Sequence, residues 1–221
     1  YFTTTCSAKR KRKFTTLNTT MKLLIIGSGG HAGQVIDAID KDKVEIIGLI
    51  DDFAKQGEMK HGYQILGKIS DIDDFAEYFD CLFIAIGNNV ERKKIYERFE
   101  NRFRFATVIH YSAIVCKNAR ISDGSYIGIN AVVANNSQVH LCSIVNTNAS
   151  LDHDSTLCSF SSLNPNSATG GNVIIGECTM IGMGTNIKNA TIIGDNCRIG
   201  MGSCIISDVP SGTITKANVT Y

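Results

Sequence analysis

The chain has 221 residues, 43% of them apolar, and a formal charge of +1 from 22 basic and 21 acidic side chains. That length holds one large domain or two small ones, and the near-neutral balance gives no global electrostatic reason to expect nucleic acid or a membrane surface as partner. Eight cysteines occur singly, without a C-x-x-C pair to suggest zinc or a redox centre; they read as small apolar fillers, and without a secretory signal or an apolar run of about 18 residues they are expected to sit reduced in the cytoplasm.

Residues 1–20 are rich in Thr and Ser, lack any acid and carry the run Lys9-Arg10-Lys11-Arg12-Lys13. The composition is compatible with an organelle transit peptide or a nuclear-type basic patch. A disordered or non-native leader is preferred, because there is no initiating Met and Met21 directly precedes a strand.

Residues 21–105 read as an α/β domain. Lys22 to Ile26 is a buried strand, followed by Gly27-Ser-Gly-Gly-His31 and an amphipathic helix to about Asp40. A second strand, Val44 to Ile50, ends at Asp51-Asp52; a third, Cys81 to Ile86, ends at Gly87-Asn88-Asn89 before a helix near Val90 to Glu100. Alternating strands and helices imply a parallel sheet whose carboxyl ends face a ligand crevice. Gly27-x-Gly29 lets backbone amides approach a phosphate at a helix N-terminus, and Asp51 stands where an acid can bond a ribose or sugar hydroxyl. Only one Rossmann-like mononucleotide-binding half fits here, which argues against a nicotinamide dehydrogenase and for a nucleotide-linked sugar.

From Ile109 to Ile205 every sixth residue is a branched aliphatic, with the single exception of Thr169. The residue four places after each is small or β-branched, from Ala113 to Val209. A period of six fits neither a helix nor one long strand; it fits short strands joined by tight corners that stack into a prism, three hexads to a turn. Glycine often follows the aliphatic residue, at Gly128, Gly176, Gly182, Gly194 and Gly200, where a corner can use its tolerance of positive φ. Residues 106–212 are assigned to this parallel β-helix and 213–221 to a tail.

The best catalytic candidate is His153 in Leu151-Asp152-His153-Asp154. It falls between two inward positions, so its side chain should point outward, and adjacent carboxylates can hold its tautomer and raise its basicity. His31 sits in the glycine turn and could contact substrate, His61 reads as loop, and His110 and His140 read as corner residues. Their separations do not suit a metal cluster, and no metal is expected.

Together these features resemble the hexapeptide-repeat acetyltransferases that include sialic acid O-acetyltransferases and UDP-4-amino-sugar N-acetyltransferases. The resemblance runs from Met21 to about Gly212. It rests on Gly27-Ser-Gly-Gly-His31, Ile50-Asp-Asp-Phe53, Ala85-Ile-Gly-Asn-Asn89 with Arg92-Lys93-Lys94, Asp152-His153-Asp154 and Gly170-Gly-Asn-Val-Ile-Ile-Gly176. It implies a left-handed β-helix, a homotrimer, and acetyl-CoA bound in a groove between neighbouring β-helices. By the same resemblance His153 is the base and Asp154 its polarising acid. Gly29, Gly30, His31, Asp51, Asp52, Gly87 and Asn88 would contact the nucleotide sugar, and Gly171, Met183 and Met201 would line the acetyl-CoA groove. An amine and a hydroxyl acceptor both remain open, as does a non-catalytic sugar-nucleotide-binding scaffold. Two departures stand out: Ser162 occupies a position, nine residues after the base, where related enzymes often have a second histidine, and Thr213 to Tyr221 replaces a glycine-proline-alanine-lysine segment.

Overall fold

A computed structural model describes residues 20–216, so the expected leader and the end of the tail lie outside the described residues. Strand β1 (Met21–Ile26) leads into α1 (Gly30–Ala38), β2 (Val44–Ile50), the short hairpin β3 (Met59–Lys60) and β4 (Tyr63–Gly67), a 3-10 helix (Ile69–Phe75), β5 (Cys81–Ile84) and α2 (Asn89–Phe99). The sheet order is β3-β4-β2-β1-β5. Only β3 is antiparallel to its neighbour. The three apolar strands β1, β2 and β5 were legible because runs such as Leu23 to Ile26 and Cys81 to Ile84 are buried on both faces, although β5 stops at Ile84, two residues short of the expected Ile86. The hairpin was not among the expected elements: β3 has only two residues, and β4 buries only Ile65 and Gly67.

From β6 (Val108–Ile109) to β22 (Cys204–Ile205), 17 two-residue strands form a prism with three parallel faces. The first face carries, among others, β13 (Ser150–Leu151) and β16 (Ala168–Thr169), the second β14 (Thr156–Leu157) and the third β15 (Ser162–Leu163). Each strand's second residue is the periodic aliphatic, Thr169 in β16 excepted, and these side chains together with the small register make one continuous core. Three hexads per coil place residue i directly under residue i + 18, as in Val133 against Leu151.

The corner glycines act differently from the expectation. Positive φ falls three residues after the aliphatic position, at Asn130, Asn136, Cys142, Asn148, Asp154, Phe160, Asn166, Asn172, Cys178 and Asn196 among others. Asparagine is favoured there because its short side chain tolerates the left-handed region. Gly128, Gly176 and Gly182 are instead required by stacking: a methyl on Gly182 would lie 2.6 Å from Met201 N, and one on Gly176 2.5 Å from Asp195 N. Two further expectations change. Thr213 and Thr215 pair with Arg198, so the coil runs past Gly212 into the segment assigned to the tail. Cys204 is exposed and fills no core, unlike Cys81, Cys142, Cys178 and Cys197.

The two units share their cores. Tyr126 and Ile144 pack with one side of the α/β sheet, and Cys142, Phe160 and Cys178 with the other. The α/β unit is thereby fixed to the prism along the edge joining the second and third faces.

Candidate active site

The glycine turn after β1 is organised from within. Asp51 Oδ2 accepts from the amide and hydroxyl of Ser28 at 2.8 and 2.7 Å, and Oδ1 accepts from Phe53 N. Partial burial pushes the Asp51 carboxyl up, but the Ser28 and backbone hydrogen bonds outweigh it and hold the carboxyl below its ordinary value. Asp52 is exposed and accepts from Ile69 N. Gly29 caps α1 without any side-chain hydrogen bond and no acid occupies the first turn, so the positive end of that helix is open. Methyls on Gly29, Gly30 or Gly87 would meet nothing, which leaves free approach to their backbone.

Other predicted contacts are engaged elsewhere. Asn88 caps α2 by accepting from Val90 N and Glu91 N. His31 turns edge-on to Tyr126, 5.1 Å between centroids, and its Nε2 is buried without a partner. Burial first, and then the charge of Arg92, lower its pKa to about 4, so the ring is neutral. His61, which read as a loop residue, sits at the hairpin turn with Nε2 3.1 Å from the Ser28 and Gly29 carbonyls.

His153 occupies the edge between the first and second faces. Its Nδ1 lies 2.8 Å from Asp154 Oδ2, and Asp154 Oδ1 accepts from Asn136 on the preceding coil at 3.1 Å. The hydrogen bond to Asp154, and then the charge of Asp152, raise the imidazole above its ordinary pKa. Asp154 is lowered in turn, chiefly by His153. Gly171 lies one coil on, directly beneath the ring: a methyl there would stand 2.5 Å from Nε2 and 2.9 Å from Nδ1. The side chain is half exposed, at 54%.

Met183 and Met201, both exposed, stack on the edge between the third and first faces, away from His153 and Gly171. Ser162 is buried on the third face. His110, His140 and His153 stand on three different edges, and among the described residues no group of three or more His, Cys, Asp or Glu is arranged to hold a metal.

Asn89 and Arg92, placed by the sequence in a motif but assigned no role there, lie where the α/β unit meets the prism. Arg92, 1% exposed, donates through Nε to Cys142 O, through Nη1 to Ile86 O and Gly87 O, and through Nη2 to Phe160 O and Asn89 Oδ1. Asn89 Nδ2 donates to Cys178 O and Thr179 O. Cys142, Phe160 and Cys178 are one stack of corners, so two side chains read three successive coils. Beside them a cavity of about 380 Å³ opens between Gly87 to Val90 and Cys178, Met180, Asn196 and Arg198. It lies on a different edge from His153.

Residues 22–99 match the PglD N-terminal domain and residues 172–207 the bacterial transferase hexapeptide repeats. The acetyltransferase domain of PglB from Neisseria gonorrhoeae is 32% identical, with a TM-score of 0.84 over 90% of this chain and 98% of that one. The chain belongs to the hexapeptide-repeat sugar acetyltransferase family. A histidine-to-alanine mutant of GDP-perosamine N-acetyl transferase from Caulobacter crescentus, in complex with CoA and GDP-perosamine, is 27% identical, with a TM-score of 0.84 over 89% and 93% of the two chains. The UDP-N-acetylbacillosamine N-acetyltransferase of Bacillus subtilis is 35% identical over 108 residues, 47% of this chain and 49% of that protein; the match spans about half the length of this curated relative. The family's fold, an α/β unit followed by a left-handed β-helix, is the fold of this chain. No helix among the described residues is long and apolar enough to cross a membrane.

Proposed function

We propose that the protein transfers an acetyl group from acetyl-CoA to the amine of a nucleotide-linked 4-amino-sugar, a UDP-sugar in the first instance, with His153 as general base. The observation that carries this reading is the His153–Asp154 pair seated on Gly171. With Nδ1–H donating to Asp154, the Nε2 lone pair is free to accept a proton. As the sugar amine attacks the thioester carbon, its proton passes to Nε2, the acyl bond forms, and the sulfur leaves with the electron pair of the broken C–S bond. Gly171 N–H makes no hydrogen bond among the described residues and stands beside the ring, so it is placed to donate to the thioester oxygen as charge develops there.

The nucleotide sugar belongs at the open N-terminus of α1, where free amides suit a diphosphate. Phe53, fully exposed two residues beyond Asp51, offers an aromatic face to the base. That turn belongs to the unit docked on one edge of the prism, whereas His153 lies on another, so the two meet only between copies. A homotrimer satisfies this, bringing the His153 edge of one protomer to the α/β unit and the Met183–Met201 edge of its neighbours. Exposed Ile114, Ile174 and Ile192 on the first and second faces supply apolar surface for the contact.

The test is acetyl-CoA-dependent release of free thiol with UDP-, GDP- and dTDP-linked 4-amino-sugars and with sialic acid, using wild type and His153→Ala. Turnover on one nucleotide sugar that falls about 10²-fold or more in the variant is expected. Turnover on sialic acid alone would move the reading to O-acetylation, and a variant as active as wild type would remove His153 from the chemistry.

A further inference from the structure

Thr169 interrupts the inward aliphatic register, and at the same point the hydrogen-bond ladder is interrupted. From His110 to Lys188, the residue after each inward position donates its amide to the carbonyl of the inward residue one coil on: Ala134 to Leu151, His140 to Leu157, Asn146 to Leu163, Cys158 to Ile175, Gly170 to Ile187. Asp152 does not. Its amide goes to the hydroxyl of Thr169 at 2.9 Å. Consistently, β13 and β16 pair only through Ser150 and Ala168, whereas the neighbouring strand pairs register both residues.

The diverted amide belongs to the residue that holds His153. Asp152 Oδ1 accepts from His153 N at 2.7 Å, and Asp152 O accepts from Ser137 Oγ at 2.6 Å. Thr169 is 7% exposed, two residues before Gly171 on which the imidazole rests. Valine has nearly the same shape and would restore both the apolar register and the carbonyl acceptor. The hydroxyl is therefore unnecessary to the coil as a coil. We infer that Thr169 is a positioning residue, whose hydroxyl draws the Asp152-His153 corner out of the regular ladder and sets the imidazole over Gly171 toward the acyl donor. The inference rests on His153 being the base.

The experiment uses the full chain with Thr169→Val, Thr169→Ser and His153→Ala in the thiol-release assay, with thermal unfolding and the NMR signals of the His153 ring recorded alongside. Thr169→Val is expected to unfold at or above the wild-type temperature, to lose about tenfold or more in kcat with KM for acetyl-CoA within about twofold, and to shift the His153 ring resonances. Thr169→Ser should stay within about threefold of wild type. Wild-type kcat in Thr169→Val, or equal loss in Thr169→Ser, would overturn the inference, as would a fall in kcat that only tracks a lowered unfolding temperature. His153→Ala separates the two readings: if it is inactive and Thr169→Val is not, only the role of Thr169 fails, and if it is fully active the base assignment fails first.

Discussion

Arg92 Nη2 donates to the carbonyl of Phe160 at 2.9 Å, and Phe160 presents that carbonyl from a left-handed backbone, φ 61°, that a bulky residue seldom adopts. The same guanidinium holds Ile86 O and Gly87 O in the loop after β5, so a single buried cation ties that loop of the α/β unit to the prism. Burial lowers Arg92 to about 10, still charged at neutral pH, and its donors meet carbonyls and an amide rather than a carboxylate.

Replacing Arg92 by lysine removes the fork and leaves several buried carbonyls without donors, each costing about 1–3 kcal/mol. Arg92→Lys is expected to lose about 3 kcal/mol or more in urea unfolding, and Asn89→Ala about 1–2 kcal/mol. A change below about 1 kcal/mol for Arg92→Lys would show that the shared apolar cores alone seat the α/β unit.

The period of the prism was legible because a branched aliphatic returns at every sixth position but one, and burial follows that register closely. The seat of the α/β unit was not. Asn89 and Arg92 sit in a polar, basic stretch that reads as solvated surface, and their acceptors are main-chain carbonyls brought together only by the 18-residue stacking of Cys142, Phe160 and Cys178. The Asp152-His153-Asp154 corner could be placed from the register, yet the support beneath it, Gly171, depends on which corners stack. Thr169 was visible as an exception, but its meaning lies in where its hydroxyl points.

Gly171→Ala puts a methyl into the space of the His153 ring. The backbone of Gly171 has no positive φ, so the fold should survive. The expected result is a loss of about 10²-fold in kcat from a displaced base, with the unfolding midpoint little changed. Retained kcat would mean the ring works from another rotamer.

The stacking role of the corner glycines separates from the role of positive φ by paired substitutions. Gly182→Ala meets the next coil's backbone and is expected to cost about 1–3 kcal/mol by overpacking. Asn148→Gly, at an exposed corner with φ 54°, exchanges relief of left-handed strain against backbone entropy and should stay within about 0.5 kcal/mol. If Asn148→Gly were the costlier of the two, the corner glycines would be serving conformation rather than clearance.

If His153 is the base, as proposed, Asp154 is expected to set the pH at which it acts. The hydrogen bond from Nδ1, followed by the charge of Asp152, raises the imidazole above about 6.5, so kcat/KM should rise with pH through that raised value as the base becomes neutral. Asp154→Asn removes the largest raising contribution, and the acid limb should move to lower pH while the plateau falls with the weaker, less oriented base. The stability linkage has the opposite sense for the two partners. The raised His153 contributes below its unfolded value and loses that contribution as pH climbs through the folded one; the lowered Asp154 contributes above its unfolded value and loses it as pH falls. Both side chains are exposed to solvent, which screens the pair, so the unfolding midpoint of Asp154→Asn should match wild type between about pH 6 and 8. An acid limb that stays in place in Asp154→Asn would mean that another group sets the ionisation, and a large drop in the midpoint would make the pair a structural rather than a catalytic device.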